Sequence, residues 1–317
     1  MKIFIVGGAG YIGSHMVKAA YKAEHEVITI DNLSTGHQDA VLYGKFELCD
    51  IFNTHKLNEL FKKYQPDVVI HLAAFSLVGE SVSDPYKYYY NNVSGTLNLL
   101  KTMVDNNCNK LVFSSSASIF GNPVYIPIDE GHQKVPYSPY GKSKLMIEDI
   151  LKDFNIAYGL KYISLRYFNA AGQDSEGELR ERHNPETHLM PIVMQVAKGE
   201  RKSISIFGTD YETKDGTCVR DYVHVEDLVK IHLESLDCLF RKEFQNAEFN
   251  IGSGVGYSVN EVIQEVSKHT GTDIKTIVGD RRDGDPPVLI AHSDKLKKEL
   301  KLSMNFMDLK SIIRSLL

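Results

Sequence analysis

Two side chains that could together move a proton, Tyr140 and Lys144, stand four residues apart in this sequence. On an α-helix, residues with this spacing share one face, so a phenol and an ammonium group would lie side by side. A free phenol has a pKa near ~10 and is a weak base at neutral pH, and a neighbouring cation favours its ionised form. The pair therefore predicts proton abstraction, with Tyr140 as the base.

A run of serines could supply a further hydroxyl to the same reaction. Lys110 to Ser114 has the pattern of a buried central strand, and the serine run continues to Ser118. In open parallel sheets, ligands bind where the strands end. We therefore expect one of these hydroxyls to contact a sugar hydroxyl held near Tyr140.

A glycine-rich turn at the start of the chain indicates a cofactor. Lys2 to Val6 is a predicted strand, residues 7–13 read Gly-Gly-Ala-Gly-Tyr-Ile-Gly, and Ser14 to Ala23 is a predicted helix. Glycines allow a tight turn and a close approach to a pyrophosphate, whose charge is met by N–H groups at the helix start. The pattern predicts a dinucleotide site that includes Gly7, Gly10, Tyr11, Ile12 and Gly13.

An acidic residue at the end of the next strand indicates which dinucleotide binds. Glu26 to Ile30 is the predicted strand, and Asp31 follows it, roughly 20 residues beyond the glycines. A carboxylate at this place accepts hydrogen bonds from the ribose 2′-hydroxyl and repels a 2′-phosphate. We therefore predict that the cofactor is NAD.

The elements that must position these residues alternate between strand and helix up to about residue 168. Further predicted strands are Lys45 to Cys49, Asp67 to His71 and Lys161 to Arg166, and predicted helices are His55 to Tyr64, Tyr86 to Asp105 and Pro139 to Tyr158. After Asn169 the alternation ends, and a polar loop is predicted over Gly172 to Thr187. This pattern predicts an α/β fold, with a Rossmann-type doubly wound parallel sheet and a smaller mixed α/β C-terminal substrate domain. We expect a cofactor domain over 1–168, with later residues of about 219–240 packing back on it, and a substrate domain mainly over 169–317.

Composition bounds the class of protein. The 317 residues are 43% apolar, which is enough for a large α/β domain with a smaller one. A net charge of −5 with no basic block argues against nucleic-acid binding, and no apolar run approaches the ~18 residues of a membrane span. Because the first residues run straight into the glycine turn, we expect no secretory leader. The four cysteines are scattered, so we predict reduced thiols, no metal site and a cytoplasmic location.

Segments spread over nearly the whole chain match one known pattern. They are Gly7 to Ser14, Asp31 to Leu33, Val78 to Ser81, Asn91 to Thr96, Phe113 to Ala117, Ser138 to Lys144, Leu165 to Asn169, Asp215 to Thr217, Val219 to Tyr222 and Arg281 to Asp285. On these segments the sequence resembles the extended short-chain dehydrogenase/reductase family, and within it the enzymes that invert carbon 4 of UDP-glucose and UDP-galactose. The resemblance implies an isomerase of galactose metabolism.

The resemblance also implies a catalytic cycle. Tyr140 removes the proton of the sugar 4-hydroxyl while a hydride passes from sugar carbon 4 to tightly held NAD. Lys144 holds the nicotinamide ribose and lowers the phenol pKa, and Ser116 helps to shuttle the proton. The resulting 4-keto sugar swings about its bonds to the anchored diphosphate and regains hydride and proton with inverted stereochemistry.

Ligand contacts are implied in the same way. For NAD, Asp50 and Ile51 lie beside the adenine, and further contacts come from Asn32, Ala73, Asn91, Ser114 and Tyr167. For the UDP-sugar, Arg220 and Arg282 bind the diphosphate, which suits guanidinium groups, Phe207 lies near the uracil and Asp285 at the uridine ribose. Phe168, Asn169 and Leu189 complete this set. A homodimer is implied through the helices predicted over Tyr86 to Asp105 and Pro139 to Tyr158.

Three positions depart from the common pattern of these enzymes. Ser76 replaces a frequent Lys near the cofactor, and His188 replaces an Asn that contacts the diphosphate, although His can also donate a hydrogen bond. Leu289 stands where a large residue restricts, and a small residue admits, N-acetylated sugars. Because Leu is intermediate in size, the sequence leaves open whether UDP-N-acetylglucosamine and UDP-N-acetylgalactosamine are also substrates.

Other functions of the same architecture stay open. A UDP-uronate epimerase would require a cation for the sugar carboxylate, and a sugar-nucleotide dehydrogenase or reductase would consume free cofactor in proportion to product. Dehydration is disfavoured because Ser116 to Phe120 contains no carboxylate. A non-catalytic protein of this fold would be expected to lack Tyr140 or Lys144, and both are present.

Overall fold

The computed structural model describes residues 1–244, 246–282, 285–301, 304–306 and 308–317. Asp283 and Gly284, which belong to one of the matching segments, lie outside the described residues. The chain divides into two compact units. Unit 1 comprises Met1–Phe120, Lys134–Arg166 and Val229–Phe249, and unit 2 comprises Gly121–Gln133, Tyr167–Leu228 and Asn250–Leu317. The predicted domain boundary near residue 168 stays a prediction.

Strands and helices alternate in the first half of the chain. The strands are β1 (Lys2–Val6), β2 (Glu26–Asp31), β3 (Lys45–Leu48), β4 (Val68–His71), β5 (Lys110–Ser116), β6 (Lys161–Tyr167), β7 (Asn169–Ala171), β8 (Ile204–Phe207), β9 (Val219–His224), β10 (Ala247–Ile251), β11 (Gly256–Ser258), β12 (Thr276–Gly279) and β13 (Val288–Leu289). The helices are α1 (Tyr11–Lys22), α2 (Thr54–Tyr64), α3 (Val78–Ser83), α4 (Pro85–Tyr88), α5 (Gly95–Asp105), α6 (Pro139–Tyr158), α7 (Leu189–Ala197), α8 (Val225–Phe240), α9 (Val259–Thr270), α10 (Asp294–Leu300) and α11 (Leu309–Ser315).

A seven-stranded sheet, most of whose residues belong to unit 1, carries the strands in the order β10-β6-β5-β4-β1-β2-β3. The pairs that β1 makes with β2 and β4, and that β4 makes with β5, are parallel. Every residue of β4 is buried, as expected for a parallel sheet covered on both faces. The six neighbouring strands β6-β5-β4-β1-β2-β3 have the order of a doubly wound dinucleotide fold. The predicted α/β Rossmann-type class is therefore confirmed.

One predicted helix is interrupted, and one predicted strand is longer than expected. Between α4 and α5 the residues Tyr89–Ser94 form a π-helical stretch, so the predicted single helix over Tyr86 to Asp105 is wrong in detail. Such wide turns insert residues into a continuous helical path and often occur at functional sites. Strand β5 extends to Ser116, so Ser115 and Ser116 belong to the strand itself and not to a following loop.

The core of unit 1 forms where α2, α5 and α6 cover the sheet. Phe4 of β1 makes edge-to-face contacts with Phe61 and Tyr64 of α2, at ring-centroid distances of 4.9 and 6.0 Å. Leu99 of α5 and Leu151 of α6 are fully buried in the same cluster. This packing fixes the helices on the sheet whose strand ends carry the site.

Unit 2 contains two smaller sheets. In one, β9 pairs with β7, β11 and β13, and in the other β8 pairs with β12. Helices α7, α9 and α11 contribute to one apolar cluster with Met190, Val262 and Ile312. The predicted polar loop is present, since no helix or strand lies between Ala171 and Leu189. In the part of the chain that the structure describes, no helix is both long enough and apolar enough to cross a membrane.

Candidate active site

Sheet register brings the ends of several strands in unit 1 to one edge. Val6 of β1 lies level with Ile30 of β2 and with His71 of β4, and His71 lies level with Phe113 of β5. Because these strands are parallel, the residues that follow these positions lie near the same edge of the sheet. Gly7, Asp31 and Ser114 are such residues, so the predicted cofactor residues converge at the carboxyl edge.

The glycine turn has the close packing that a pyrophosphate site requires. Gly7 has a φ of +87°, a conformation that favours glycine, and a Cβ there would overlap the backbone of Ala73. A Cβ on Gly13 would overlap the Gly7 carbonyl. Helix α1 begins at Tyr11, directly after Gly10, and its N–H groups start without acceptors inside the helix. The turn therefore presents a helix N-terminus that fits an anion.

Asp31 is fixed by the turn that it is predicted to serve. Its two carboxylate oxygens accept hydrogen bonds from the N–H groups of Ala9, at 3.0 Å, and Leu33, at 2.8 Å. Burial raises the pKa of Asp31, and these backbone hydrogen bonds counteract the rise. A carboxylate oxygen accepts more than one hydrogen bond, so both can still accept a ribose hydroxyl.

Other predicted cofactor residues surround the ends of β2 and β3. Asn32 donates a 2.8 Å hydrogen bond to the Asp50 carboxylate, which also accepts from the Phe52 N–H at 2.8 Å. Ile51, next to Asp50, is buried. The predicted adenine residues are thus joined by one hydrogen-bonded turn. Asn91 lies in the π-helical stretch and donates to the Asn92 side chain at 3.0 Å.

Tyr140 and Lys144 share one face of α6, as their spacing predicts. The Lys144 Nζ lies 5.8 Å from the centre of the Tyr140 ring and donates a 2.7 Å hydrogen bond to the Ser114 carbonyl at the end region of β5. The Ser116 side chain lies near enough to the Tyr140 phenol to lower its pKa. Tyr140, Lys144 and Ser116 therefore form one connected group in unit 1.

Burial sets the pKa values of both side chains in this structure, and the lowering of the phenol pKa by Lys144 stays a prediction. Burial raises the pKa of Tyr140, and the nearby Ser116 side chain opposes this rise. Burial also lowers the pKa of Lys144 to about 7, so near neutral pH the ammonium is only partly charged.

Helix α6 is held at the sheet edge by its first turn. Ser138 caps the helix by accepting a 3.1 Å hydrogen bond from the Gly141 N–H, and Pro139 occupies the first helical position. A Cβ on Gly141 would overlap the Ser118 carbonyl, so glycine allows the helix to approach the end of β5. This close approach brings Tyr140 within reach of Ser116.

Asn92 is a positioning residue that the sequence reasoning missed. It is buried, exchanges two 3.0 Å hydrogen bonds with the backbone of Phe75, and donates to Ser143 of α6 at 3.2 Å. Ser143 in turn donates to the Tyr140 carbonyl at 2.7 Å. Asn92 thus connects the loop after β4 to the turn that carries the phenol. Only its place in a matching segment signals this role.

A buried charged network behind β5 was also missed. Glu148 of α6 accepts two 2.8 Å hydrogen bonds from the Arg166 guanidinium and one of 2.7 Å from Ser115. All three side chains are buried. Residues of opposite charge 18 positions apart carry no sequence signal that they meet. The network connects α6 to β5 and β6, and its residue on α6, Glu148, lies about one helical turn after Lys144.

In unit 2, several predicted substrate residues lie together. Arg220 of β9 forms a 2.8 Å ion pair with Asp285 and donates to the Pro286 carbonyl at 2.8 Å. Leu289 of β13 lies level with Arg220 in the parallel register. The Arg282 guanidinium lies 3.9 Å from the centre of the Phe207 ring. The structure therefore gathers these residues into an Arg220–Asp285–Leu289 group and an Arg282–Phe207 pair.

The other predicted substrate residues lie at the ends of elements. The Phe168 N–H donates to the Ile251 carbonyl at 3.0 Å, and Asn169 begins β7 level with Tyr222. Tyr167, a predicted cofactor residue, ends β6. His188 immediately precedes α7, which begins at Leu189. Burial acts to lower the His188 pKa, but hydrogen bonds that its ring donates to the carboxylates of Glu181 and Glu186 overcome this effect and raise the pKa to about 10.

The fold and these residues define an NAD-type dinucleotide-binding protein of the α/β class with a Tyr–Lys pair, of which the lysine is buried, at the carboxyl edge of its sheet. A sequence profile of the NAD dependent epimerase/dehydratase family matches residues 3–252, and the chain belongs to this family. The UDP-glucose 4-epimerase of Halalkalibacterium halodurans is 47% identical over 99% of this chain and 93% of its own length.

Solved structures agree with this assignment. The UDP-glucose 4-epimerase from Brucella ovis, in complex with NAD, is 44% identical, with a TM-score of 0.96 over 99% of this chain and 96% of that chain. The enzyme from Bifidobacterium longum, in complex with NAD⁺ and UDP, is 35% identical, with a TM-score of 0.95 and the same two coverages. At these identities and coverages, the likeness extends through both units.

Proposed function

We propose that the chain is an NAD-dependent enzyme that interconverts UDP-glucose and UDP-galactose by reversible oxidation at sugar carbon 4. The observation that carries this proposal is the group in which Tyr140, beside Ser116, is followed one helical turn later by buried Lys144. Oxidation of a sugar hydroxyl requires a base that takes its proton and a nearby dinucleotide that takes the hydride. The named activities of its relatives indicate the substrates.

NAD fits the residues of unit 1. The glycine turn would hold the pyrophosphate at the start of α1, and Asp31 would accept the ribose hydroxyls. Asn32, Asp50 and Ile51 would lie at the adenine. When bound, NAD supplies an acceptor that takes the hydride from sugar carbon 4 and gives it back, so no net oxidation occurs.

The chain's own residues move the proton. Tyr140 as phenolate takes the 4-hydroxyl proton and, after the keto sugar has rotated, returns it to the oxygen on carbon 4. The nearby Ser116 side chain lowers the phenol pKa against the effect of burial. Lys144 fixes its own position on the Ser114 carbonyl and would donate to the nicotinamide ribose.

Residues of unit 2 would hold the nucleotide part of the substrate. Arg220 and Arg282 would bind the diphosphate, since guanidinium forks suit phosphate oxygens. Asp285 is already placed by its ion pair with Arg220, and would accept the uridine ribose hydroxyls. Phe207, stacked under Arg282, offers an apolar face to the uracil. A firmly held nucleotide leaves the keto sugar free to rotate and present its other face. Leu289 would limit the size of substituents on sugar carbon 2.

We further propose that the enzyme is a homodimer in the cytoplasm. Its four cysteines are free thiols, which is usual in a reducing compartment. In unit 1, Tyr86, Tyr89, Tyr90, Val93, Ser94 and Met146 line a hollow of 380 Å³ on the outer side of the helices. Exposed aromatic and apolar side chains in such number suit contact with a second copy of the chain.

The decisive experiment combines wild-type enzyme with Tyr140→Phe. Purified wild-type protein should carry NAD and interconvert the two UDP-sugars without added cofactor. Loss of the phenol hydroxyl should lower kcat by about 10²–10⁴-fold, the usual contribution of a general base, while NAD stays bound. Absorbance of the bound nucleotide and coupled assay of each sugar measure the two quantities.

Tyr21→Phe is the matched control, because Tyr21 is half-exposed on α1. It should keep wild-type activity. Turnover by Tyr140→Phe at the wild-type rate would remove Tyr140 from the role of base. Accumulation of NADH in proportion to an oxidised sugar product would instead identify a dehydrogenase.

A further inference from the structure

Four side chains that can ligate a metal ion converge in unit 2, in the loop between β7 and α7. They are Glu181, His183, Glu186 and His188, and each offers one donor atom within 4.8 Å of the other three. The segment has the spacing Glu-x-His-x-x-Glu-x-His. Two imidazole nitrogens and two carboxylate oxygens thus face a common point.

The distances within this cluster match those between the ligands of one small cation. The His188 Nδ1 lies 2.9 Å from a Glu181 oxygen and 3.0 Å from a Glu186 oxygen. The His183 Nδ1 lies 3.1 and 3.7 Å from oxygens of the same two carboxylates. In a tetrahedral zinc site with bonds of ~2.0–2.1 Å, neighbouring ligand atoms are ~3.3 Å apart. The four measured distances lie on both sides of this value.

Burial favours a metal over loosely held surface charges. The side chains of Glu181 and Glu186 are only 6% and 7% exposed. Two buried carboxylates beside each other need compensating positive charge, which the two imidazoles supply when protonated and a divalent cation supplies when the imidazoles bind it in their neutral form. The two imidazole rings, with centres 4.9 Å apart, approach from the more exposed side.

We propose that these four residues bind one Zn²⁺ ion per chain. Imidazole nitrogen is a preferred zinc ligand, whereas Mg²⁺ and Ca²⁺ prefer sites made of oxygen alone. Four protein ligands complete a tetrahedron and leave no open position, so the ion is structural and takes no part in the chemistry. The expectation of no metal rested on cysteine spacing, which does not test a site of histidine and glutamate.

The consequence of such a site is local order next to the proposed substrate residues. The ligands span eight residues of a loop without helix or strand, and the last ligand directly precedes α7. Zinc would tie this loop to the start of α7 and fix the His188 ring through Nδ1. The other ring nitrogen of His188 would then point away from the metal.

The experiment uses full-length enzyme with its bound NAD, freed of metal by a chelator and dialysis. Titration with Zn²⁺ should show about one site per chain. Co²⁺ added in its place should give the intense visible absorption of tetrahedral cobalt, and added Zn²⁺ should remove it. His183→Ala and Glu181→Gln should each raise the zinc dissociation constant by about tenfold or more.

The matched control is His269→Ala on α9. His269 lies 3.3 Å from Glu265, so it offers a His–Glu pair without further ligands, and its loss should leave zinc affinity unchanged. Retained NAD and an unchanged circular dichroism spectrum show that a variant is folded. X-ray absorption of zinc in wild-type protein gives a second measurement if a variant does not fold.

Three outcomes would overturn the proposal. They are the absence of stoichiometric zinc binding, octahedral cobalt spectra, and equal zinc affinity in the wild type and both loop variants. None of these results bears on the proposed epimerase activity, because His183 and Glu181 are not among the residues assigned to NAD, the UDP-sugar or the proton.

Discussion

Burial governs the acid–base behaviour of Tyr140 and Lys144 at the scale of single residues. It raises the pKa of the phenol and lowers that of the ammonium to about 7, so in each case the neutral form is favoured. The spacing in the sequence predicts that the two side chains share a helix face. It does not predict their pKa values, because those depend on the depth at which α6 lies against β5.

Lys144 makes the stability of the protein without bound nucleotide depend on pH. The folded-state pKa of about 7 lies below the unfolded value of ~10.4, so between these values the unfolded state binds more protons. Stability therefore rises with pH across this window, and burying the charge is most costly below pH 7. Lys144→Met removes this contribution.

The measurement is the difference in melting temperature between wild type and Lys144→Met from pH 6 to pH 10. The melting temperature of the wild type should rise relative to that of the variant as the pH increases. Lys142→Met, an exposed change on the same helix, should show a constant difference. A difference for Lys144→Met that stays flat over this range would mean that the buried lysine keeps an ordinary pKa.

At the scale of elements, helix α6 shows which features of the structure can be predicted from the sequence and which cannot. Its observed bounds, Pro139–Tyr158, equal the predicted ones, because Ser138 and Pro139 mark the start and Gly159, with a φ of +68°, marks the end. Local residue types determine such boundaries. The network of Glu148, Arg166 and Ser115 depends on three elements meeting, so no local pattern predicts it.

This network should be the strongest polar support of α6. Glu148→Gln keeps the shape of the side chain but leaves the buried Arg166 guanidinium without its carboxylate, and removal of one partner of a buried ion pair costs about 3–5 kcal/mol. The free energy of unfolding, measured with urea, should fall by this amount. NAD affinity should fall with it, since Lys144 lies on the same helix.

Asp149→Asn is the control one residue further along α6. Its carboxylate is 63% exposed and forms a surface pair with Lys152, so its removal should change stability by less than about 0.5 kcal/mol. Equal effects of Glu148→Gln and Asp149→Asn would show that the buried network contributes no more to stability than an exposed ion pair does.

At the scale of the whole molecule, the order of the elements was predictable and the make-up of the units was not. Buried strands that alternate with helices allow few topologies, and the sheet follows the doubly wound order. Unit 2, however, contains Gly121–Gln133 together with residues far along the chain. Asn250, for example, donates a 2.9 Å hydrogen bond to the Ile128 carbonyl across 122 positions. Pairings this distant leave no periodic signal in a single sequence.

The assembly proposed for this enzyme depends on the outer faces of α4, α5 and α6 in unit 1. Tyr86 is 73% exposed, Leu97 38% and Met146 46%, and the rings of Tyr86 and Tyr90 stack at 5.6 Å. Covering this surface with a second copy would bury apolar area without changing the site.

Leu97→Glu and Met146→Glu should therefore raise the dimer dissociation constant by about tenfold or more, because each places a charge against an apolar partner. Sedimentation equilibrium over a range of concentrations measures this constant, with NAD content as the check on folding. Ile277→Glu, at a 58% exposed position of β12 in unit 2, is the control and should leave the wild-type mass unchanged. A wild-type protein that sediments as one chain at micromolar concentration, or two glutamate variants that remain dimeric, would show that this apolar face does not join two copies.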